Sequence, residues 1–599
     1  MFVFKFSQIL KKGRRLAFVD YYSPSKWKST LIKRPGKFVV PEEVKNAKKP
    51  YCMAIRRETI NPWERRAPLA PKHVKWLTRS GVKVLVQPSN RRAYPMQRHK
   101  GVQFSRDYIS AGAISSEDIS EASLIMSVKT VPIEDLIPDK TYVFFSHTIK
   151  AQKDNMPLLD AVLQNNIRLI DYEKMVDEKG QRIVMFGRWA GYAGMIDILH
   201  GLGLRLLALG HNTPFLHIGL AHSYRDSHMA HNAVRDVGYE IALGCMPKSL
   251  GPLTFVFTGT GNVSQGAQEI FQSLPTEYVD VANLHKVAQY GSLNKVYGCV
   301  VSRADHLSRI NGGGFDAEEY DAHPELYKSN FATEVAPYTS VLINGIYWAP
   351  KSPRLITLPD ATVLMSTSMT SSKKVKTPGR PRLPHRLVAI CDISADPGGS
   401  VEFMTECTTI DRPFCIYDAN QHKSHDSFAL PTGVLVCSID NMPAQMPLES
   451  TEYFGDLLMD YIFEMLLSDA TTPFEKFQAS DAVTGAIIAS NGKLTPKFAY
   501  ISDLRRQKAM ASYHKAGRSQ SDLPEKSVLL LGAGFVSAPV VEYLSRAGHS
   551  TKLTVVTEKA SDIEKLIQIS PEVKIEIMNV FEEQNQLSNL IEDSDLVIR

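Results

Sequence analysis

Two glycines that follow a β-rich run give the first chemical signal in this chain of 599 residues. Residues 253–258 read as a strand, Gly259 and Gly261 follow it as G-x-G, and Asn262 and Val263 open a stretch with helical character. A strand, a glycine turn and a helix begin a dinucleotide-binding unit. Gly259 would make the tight turn. Gly261 would let the backbone approach a pyrophosphate, which the first N–H groups of the helix would bind.

The glycine fingerprint is imperfect, because Ser264 occupies the third glycine position and Gly266 comes two residues later. A G-x-G turn between a strand and a helix also occurs without any nucleotide, so neighbouring residues must decide the interpretation. Asp392 ends a later predicted strand, residues 387–392, of the same sheet. An acid there could meet a nicotinamide, or it could cap the next turn.

The end of the second strand of this unit, the one that follows the glycine turn, indicates which dinucleotide is bound. Val296–Val301 reads as that strand, and Ser302 and Arg303 follow it. An acid at this position would bind a ribose 2′-hydroxyl, whereas an arginine accommodates a 2′-phosphate. Since no acid occurs before Asp305, we predict NADP(H). The spacing from the glycines is longer than usual, which we assign to an excursion around residues 275–290.

Polar side chains follow three predicted strands in the first part of the chain. These residues are Lys129, His147 and Glu173, and the apolar runs before them are residues 122–128, 142–145 and 167–170. In a parallel sheet such residues share one edge, where ligands bind. A single lysine or histidine after a strand is usually an ordinary loop residue. Three in the same position favour a functional site that faces the cleft.

Strands that alternate with helices predict an α/β fold with two Rossmann-like domains around a cleft. We place a substrate-binding catalytic domain at 46–205, completed by 430–500, and an NADP-binding domain at 206–429. A charged linker is predicted at 501–525. A second G-x-G at Gly532 and Gly534 begins a partial Rossmann unit at 526–599, which we expect to be incomplete.

Composition limits the partners of the chain. The net charge is +6, but residues 1–40 alone contribute +9, which leaves −3 for the remainder and gives no reason to expect nucleic-acid binding. The basic segment 1–45 is typical of a mitochondrial transit peptide. No run of about 20 apolar residues predicts a membrane span. The seven cysteines lack C-x-x-C spacing, so we predict no metal site.

Several of these stretches together resemble the lysine–2-oxoglutarate reductase half of animal aminoadipic semialdehyde synthases. They are residues 64–69 (ERRAPL), 127–129 (SVK), 144–150 (FFSHTIK), 186–194 (FGRWAGYAG), 392–394 (DIS) and 438–443 (SIDNMP). The resemblance covers roughly residues 50–500 and implies a fold like that of alanine dehydrogenase and transhydrogenase. Residues 526–599 resemble the start of the saccharopine dehydrogenase half.

The resemblance also implies roles for residues. In the related lysine-forming saccharopine dehydrogenases a lysine and a histidine form the acid–base pair, and the matching residues here are Lys129 and His147. Arg66 and Arg182 match arginines that hold substrate carboxylates, and Glu173 matches an acid near the lysine moiety. The chain departs from the fungal pattern, which has an acid in place of Thr130 and an arginine in place of Leu448.

We therefore expect an oxidoreductase that uses NADPH to condense L-lysine with 2-oxoglutarate, giving saccharopine in lysine degradation. We expect a homo-oligomer in the mitochondrial matrix. Two alternatives remain. One is an alanine-dehydrogenase-like enzyme that acts on a smaller oxo acid without lysine. The other is a non-catalytic product of a truncated gene, which the incomplete second unit would favour and the Lys129–His147 pair would not.

Overall fold

The computed structural model describes residues 39–97, 107–346, 348–349, 351–366, 381–516, 526–532, 540–541, 544, 551–559, 561, 566–568 and 573–598. Most of the predicted transit segment and Gly534 therefore lie outside the described residues. The chain divides into two compact units. The first comprises residues 1–148 and 153–498, and the second comprises residues 149–152 and 499–599. The domain boundaries given above stay predictions.

The first sheet carries the predicted proton-transfer residues at its edge. Its strands are β1 (Cys52–Ile55), β2 (Lys83–Val86), β3 (Ile114–Ser115), β4 (Leu124–Met126), β5 (Thr141–Phe144), β6 (Arg168–Asp171), β17 (Ile487–Ser490) and β18 (Lys493–Leu494). The spatial order is β18-β17-β6-β5-β4-β1-β2-β3, and β1 to β6 are all parallel. The central strands are buried along their length, as helices on both faces require.

A second sheet begins at the glycine turn. Its strands are β7 (Thr254–Thr258), β8 (Thr276–Tyr278), β9 (Val296–Val301), β12 (Val341–Asn344), β13 (Ala389–Asp392), β14 (Cys415–Asp418), β15 (Lys423–His425) and β16 (Val434–Cys437). The order is β15-β14-β16-β13-β12-β7-β9-β8. The predicted second strand, β9, pairs directly with β7. The predicted excursion is itself a strand and a helix, and β8 lies at the sheet edge beside β9.

Helices cover these sheets. In the first unit they are α1 (Glu42–Lys45), α2 (Pro71–Arg79), α3 (Met156–Gln164), α4 (Gly187–Ala208), α5 (Ser227–Ala242), α6 (Asn262–Phe271), α7 (Val281–Tyr290), α8 (Arg303–His306), α9 (Ala317–Ala322), α10 (Phe331–Glu334), α11 (Leu358–Leu364), α12 (Pro447–Leu458), α13 (Ile462–Leu466) and α14 (Asp481–Thr484). A small separate sheet pairs β10 (Leu307–Arg309) with β11 (Tyr327–Ser329). Within the described ranges, no helix is long and apolar enough for a membrane crossing.

The chain returns to the first sheet later than predicted. Sequence reasoning assigned residues 430–500 to the first domain, but β16 lies inside the second sheet and pairs parallel with β13. All of its residues are buried, which suits a short apolar run between two helical layers. Only afterwards do α12 and α13 enter the core beside the first sheet, where β17 then joins β6 in antiparallel orientation.

Two glycines allow α4 and α6 to cross at very short range. A Cβ atom on Gly191 would lie 2.0 Å from the carbonyl oxygen of Val263, and one on Gly266 would lie 2.1 Å from that of Arg188. The backbones are therefore in direct contact. Gly266, two residues beyond the expected third glycine of the fingerprint, thus serves the packing of two helices, whereas the third fingerprint glycine serves the packing of the helix on the strand.

The second unit contains a parallel sheet in the order β21-β20-β19-β22. Its elements are α15 (Tyr500–Ala516), β19 (Lys526–Leu531), β20 (Thr551–Thr557), β21 (Lys574–Ile577), α16 (Gln584–Glu592) and β22 (Leu596–Ile598). Residues 501–516 of the predicted linker are helical and belong to α15. That part lacks glycine and proline and is rich in Ala, Lys and Arg, all strong helix formers.

The α4–α6 contact predicts a selective effect of a single methyl group. Gly266→Ala should cost about 1–3 kcal/mol of unfolding free energy, because the added carbon overlaps a backbone carbonyl that cannot rotate away. Thermal unfolding measures the loss. Gly314→Ala is the matched control, since a Cβ atom there meets nothing within 4 Å. Equal stability of the two variants would contradict the packing account.

Candidate active site

The first sheet brings three predicted residues to one edge. Lys129 follows β4, His147 follows β5 and Glu173 follows β6. These strands are adjacent and parallel, so their carboxyl ends meet at the same edge. The charges of Lys129 and Glu173 both act on the pKa of His147, which places the three side chains within electrostatic reach. Their roles in catalysis stay predictions.

Asp171 fixes the loops that carry two of these residues. Its carboxylate is fully buried at the end of β6 and accepts hydrogen bonds from the Ser146 N–H at 3.1 Å and the Ser146 hydroxyl at 2.5 Å. It also accepts one from the Glu173 N–H at 2.7 Å. Ser146 directly precedes His147, whose backbone is held in the left-handed region at φ 55°. Asp171 therefore positions both His147 and Glu173.

Arg66 lies deeper than its predicted role implies. Its Nε and Nη2 atoms donate to the two carboxylate oxygens of Glu64 at 2.8 and 2.7 Å, and its side chain is only 2% exposed. Its guanidinium carbon lies 4.2 Å from the ring centre of Phe186. The resemblance predicts that Arg66 holds a substrate carboxylate, and an arginine can do so through two parallel N–H groups. In this structure Glu64 already binds the edge formed by Nε and Nη2. Among the described contacts, only the Nη1 atom of the guanidinium is left free.

Asn441 connects this pair to the second sheet. It follows β16, and its Oδ1 atom accepts a hydrogen bond from Arg66 Nη2 at 2.9 Å. Its Nδ2 atom donates to Glu64 at 3.1 Å. Although burial opposes ionisation, the charge and hydrogen bonds of Arg66 lower the pKa of Glu64. The carboxylate therefore stays charged, and the site lies where the two sheets of this unit meet.

Lys129 sits in a crowded, charged environment. Burial, followed by the charge of Arg66, lowers the pKa of Lys129, while Glu64, Asp440 and Glu58 oppose the shift. Glu58 is buried, and its carboxylate accepts the backbone N–H groups of Val128 at 2.7 Å and of Lys129 at 3.1 Å. Desolvation raises the pKa of Glu58. Glu58 thus holds the backbone that carries Lys129.

His147 is more open to solvent than Lys129. Desolvation by the surrounding protein still lowers the pKa of His147, with a smaller contribution from the Lys129 charge. Its ring stacks on Phe145, with ring centres 6.5 Å apart. In the part of the chain that the structure describes, neither the Lys129 amine nor the His147 ring nitrogens hydrogen-bond to protein. Both groups are free to exchange protons with a bound molecule.

Arg182 and Glu173 form an ion pair at the mouth of the site. The Nη2 atom of Arg182 donates to Glu173 Oε1 at 2.5 Å. The Arg182 side chain is about half exposed, whereas that of Glu173 is mostly covered. The structure thus brings these two predicted substrate-binding residues together, with Arg182 on the solvent side.

The glycine turn of the second sheet fits a dinucleotide. Gly259 has φ 82°, and its N–H donates to Val301 on the neighbouring strand at 2.9 Å. A Cβ atom on Gly261 would meet nothing within 4 Å, so open space lies beside the start of α6. Asn262 and Val263 are the first residues of that helix, whose initial N–H groups lack helical partners. A pyrophosphate suits this cradle.

Asp392 ends a chain of buried polar groups along the strand ends. The Thr258 hydroxyl donates to Asn344 at 2.7 Å, and Asn344 donates to Asp392 Oδ1 at 2.8 Å. The Ser394 hydroxyl also donates to Oδ1 at 2.7 Å, which is the capping role that the sequence left open. Burial raises the pKa of Asp392 to about 6. Its Oδ2 atom is buried and has no partner among the described residues, so a bound group could satisfy it.

The corner after β9 carries Ser302 and Arg303. Ser302 caps α8 together with Asp305, whose carboxylate accepts the Ser302 N–H at 2.7 Å and its hydroxyl at 2.6 Å. Arg303 pairs with Asp321 at 2.5 Å. The first acid after the strand is therefore engaged within its own turn.

Sequence reasoning missed Glu58, Asp171 and Asn441 as site residues. Glu58 and Asp171 stand at or just beyond strand ends, which is the signal that singled out Lys129. Both act through backbone N–H groups of other loops, and the sequence does not indicate those partners. Asn441 lies in the quoted SIDNMP stretch, but its contact with Arg66 spans 375 residues.

Together, the two parallel-rich sheets and the glycine turn define an α/β protein with two Rossmann-like sheets, as predicted. A family model described as "Alanine dehydrogenase/PNT, N-terminal domain" matches residues 54–193, which include Lys129, His147 and Glu173. A second, "Saccharopine dehydrogenase NADP binding domain", matches residues 528–599. Among solved structures, "L-alanine dehydrogenase" aligns at 17% identity and a TM-score of 0.45, covering 76% of this chain and 99% of that one.

More particularly, the chain is a homologue of animal alpha-aminoadipic semialdehyde synthases, which confirms the resemblance. It is 57% identical over 549 residues to "Alpha-aminoadipic semialdehyde synthase, mitochondrial" of Bos taurus, across 91% of this chain and 57% of that protein. The Rattus norvegicus protein of the same name is 56% identical over 548 residues, with the same two shares. The chain thus spans 57% of the length of these relatives. The names of both relatives include the word mitochondrial.

The Glu64–Arg66 pair should behave as a buried ion pair. Glu64→Gln should cost about 3–5 kcal/mol of unfolding free energy, because it leaves the Arg66 charge buried and unpaired. Urea unfolding measures the loss. Adding Arg66→Met should restore much of it, since the second change removes the unpaired charge. A double variant no more stable than Glu64→Gln would contradict this account.

Asp171 should make stability depend on pH. Burial raises the pKa of Asp171 to about 6 from an ordinary 3.8. As the pH rises, the unfolded chain therefore loses this proton at a lower pH than the folded chain does. The stability that the bound proton confers on the folded chain is fully present below pH 3.8 and is lost as the pH rises through 6. The loss is about 3 kcal/mol. Subtracting the urea-unfolding free energies of Asp171→Asn from those of the wild type should give a difference that falls between pH 4 and 6.5. A flat difference would refute the assignment.

Proposed function

We propose that this chain catalyses the NADPH-dependent condensation of L-lysine with 2-oxoglutarate to saccharopine, in the degradation of lysine in the mitochondrial matrix. The observation that carries the proposal is the Lys129–His147 pair. Two basic groups with lowered pKa, and with no hydrogen-bonding partner among the described residues, stand at the junction of two sheets. The names of the relatives support the same reaction.

The reaction requires protons to move in both directions. The lysine ε-amine must lose a proton before it attacks the ketone of 2-oxoglutarate and forms the new C–N bond. The resulting carbinolamine must gain a proton on its hydroxyl before water leaves and the imine forms. His147, neutral at physiological pH because its pKa is lowered, would accept the first proton. Lys129, whose pKa is also lowered, would donate the second more readily than an ordinary lysine.

The charged residues around the pair suit a substrate with carboxylates at both ends. Arg182 offers a half-exposed guanidinium at the mouth of the site, next to Glu173, which would face the lysine amine. Arg66 would contribute its charge through the Nη1 atom, which is free among the described contacts. Glu64 holds the edge of the guanidinium that is formed by Nε and Nη2. Because the charges of Glu64 and Asp440 act on Lys129, the site also tolerates a cationic amine.

When bound, NADPH would supply the hydride that reduces the imine carbon. Gly259, Gly261 and the first residues of α6, Asn262 and Val263, would hold its pyrophosphate. Asp392, with one oxygen unpartnered, would face its nicotinamide end. Ser302 and Arg303 would lie at its adenosine end. The association of this chain into a homo-oligomer stays a prediction.

The direct test follows the absorbance of NADPH at 340 nm with the purified full chain. We expect oxidation only when L-lysine and 2-oxoglutarate are present together, with saccharopine identified by mass spectrometry. Lys129→Met should lower kcat by about 100-fold or more, as expected for loss of a general acid–base group. Lys75→Met, an exposed lysine on α2, is the control and should stay within about twofold of the wild type.

Three results would overturn the proposal. Oxidation with a small oxo acid and ammonia but without lysine would favour the alanine-dehydrogenase-like alternative. Binding of NADPH without turnover on any of these substrates would favour a non-catalytic chain. Normal turnover by Lys129→Met would remove Lys129 from the mechanism.

A further inference from the structure

A tryptophan beside the charged site extends from a loop of the first sheet and contacts the second sheet. Trp63 lies in the loop that follows β1, one residue before Glu64. Its ring is partly buried and packs against the core formed by the second sheet and α4. The loop that carries Glu64 and Arg66 is therefore attached to the second sheet through a large apolar side chain, in addition to the hydrogen bonds with Asn441.

The indole N–H of Trp63 is held by a carboxylate of the second sheet's loops. Its Nε1 atom donates to Asp411 Oδ2 at 2.8 Å. Asp411 lies in a tight turn, in which the Thr409 N–H donates to the Arg412 carbonyl at 3.2 Å. The Arg412 N–H donates back to the Thr409 carbonyl at 3.1 Å. Because the turn is closed by these two hydrogen bonds, the acceptor for Trp63 has a defined position.

The turn that holds Trp63 is joined to the segment that holds Arg66. The Thr408 N–H donates to the Ser438 carbonyl at 2.8 Å, and the Ser438 N–H donates to the Thr408 hydroxyl at 2.9 Å. Ser438 directly follows β16 and stands three residues before Asn441, which accepts the hydrogen bond from Arg66. The anchors of Trp63 and of Arg66 thus belong to one hydrogen-bonded part of the second sheet.

The ring of Trp63 also lies against a histidine whose orientation is fixed. The ring centres of Trp63 and His222 are 4.9 Å apart. The Gln445 amide donates to the buried Asp197 carboxylate at 2.6 Å, so its carbonyl oxygen faces His222 Nδ1, at 3.1 Å, and accepts its proton. Asp197 lies on α4, the helix that crosses α6 next to the glycine turn. The second contact of Trp63 is therefore connected to the same frame as the first.

From these contacts we propose that Trp63 is a positioning residue for substrate binding, because it fixes the Arg66 loop on the second sheet. Three residues of chain span at most about 10 Å, so a shift of Trp63 also displaces the guanidinium of Arg66. The proposal rests on the proposed function, in which Arg66 binds a substrate carboxylate, and deepens it. Trp63 itself is not required to touch the substrate.

The test measures binding of saccharopine, the proposed product, to the purified full chain by isothermal titration calorimetry. Saccharopine carries the carboxylates of both substrates, and no turnover occurs without a nucleotide. Trp63→Leu removes the N–H donor and the ring contact, so it should weaken saccharopine binding by about 5- to 20-fold, the size of one or two lost polar contacts. In a separate titration, NADPH affinity should stay within about twofold of the wild type, because the α4–α6 crossing holds the glycine turn independently.

Conservative variants separate the hydrogen bond from the ring contact. Asp411→Ala removes the acceptor and should weaken saccharopine binding by about two- to fivefold, whereas Asp411→Asn keeps a carbonyl oxygen and should stay within about twofold of the wild type. Trp63→Phe keeps a ring against His222, loses the N–H and should match Asp411→Ala. The double variant Trp63→Phe/Asp411→Ala should bind no more weakly than either single variant, since both changes remove one contact. Additive losses would contradict the hydrogen bond as the cause.

Trp76→Leu is the matched control, because Trp76 packs on Phe463 in the core of the first sheet, with ring centres 5.4 Å apart. It removes the same side-chain volume and should leave saccharopine affinity within about twofold of the wild type. Equal losses from Trp63→Leu and Trp76→Leu would mean general destabilisation, and unchanged binding in Trp63→Leu would mean that Arg66 is positioned without Trp63. Either result overturns this inference and leaves the proposed reaction standing. Failure of the wild type to bind saccharopine would instead count against the proposed function, and with it against this inference.

Discussion

The contact between α4 and α6 is the constraint on which the rest of the first unit depends. Two missing side chains, at Gly191 and Gly266, let the helix backbones touch. The helix α6 begins at the glycine turn, and α4 begins immediately after Phe186, which stacks on Phe454 at 4.4 Å and lies under Arg66. One crossing therefore fixes the distance between the glycine turn and the charged residues around Arg66. A reaction between two bound molecules needs that fixed geometry.

The second organising feature is the burial of charge at the strand ends. Glu58, Glu64 and Asp171 are all buried, and each is used to hold backbone or an arginine. Such groups are costly unless they are hydrogen-bonded, and each of them accepts two or more hydrogen bonds. Lys129 and His147 differ, since among the described residues neither the Lys129 amine nor the His147 ring nitrogens have a hydrogen-bonding partner. The buried carboxylates therefore hold the backbone around the site, while the two groups that we propose for proton transfer stay available to a bound molecule.

Much of the fold could be predicted from the sequence, because its signals are local. Apolar runs of four to seven residues that end in polar residues identified β4, β5, β6, β7 and β9, and therefore also Lys129, His147 and Glu173. The errors arose where a local pattern suits two structures. The run Val434–Cys437 reads as a buried strand in either sheet, and only its pairing with β13 assigns it to the second. The charged stretch after Phe498 reads as a linker, yet its residues favour a helix.

The sequence by itself determined which residues stand at strand ends, where the glycine turn falls, and which family the motifs resemble. Each of these properties depends on residues a few positions apart. Only the tertiary structure decided which side chains meet. Glu64 binds the Nε and Nη2 atoms of Arg66, and Gly266 lies against the Arg188 carbonyl. Tyr320 and Asp321 both contact the guanidinium of Arg303. The first contact is closed by Asn441, 375 residues from Arg66. Such contacts depend on how the sheets and helices pack, which periodicity and spacing along the chain do not encode.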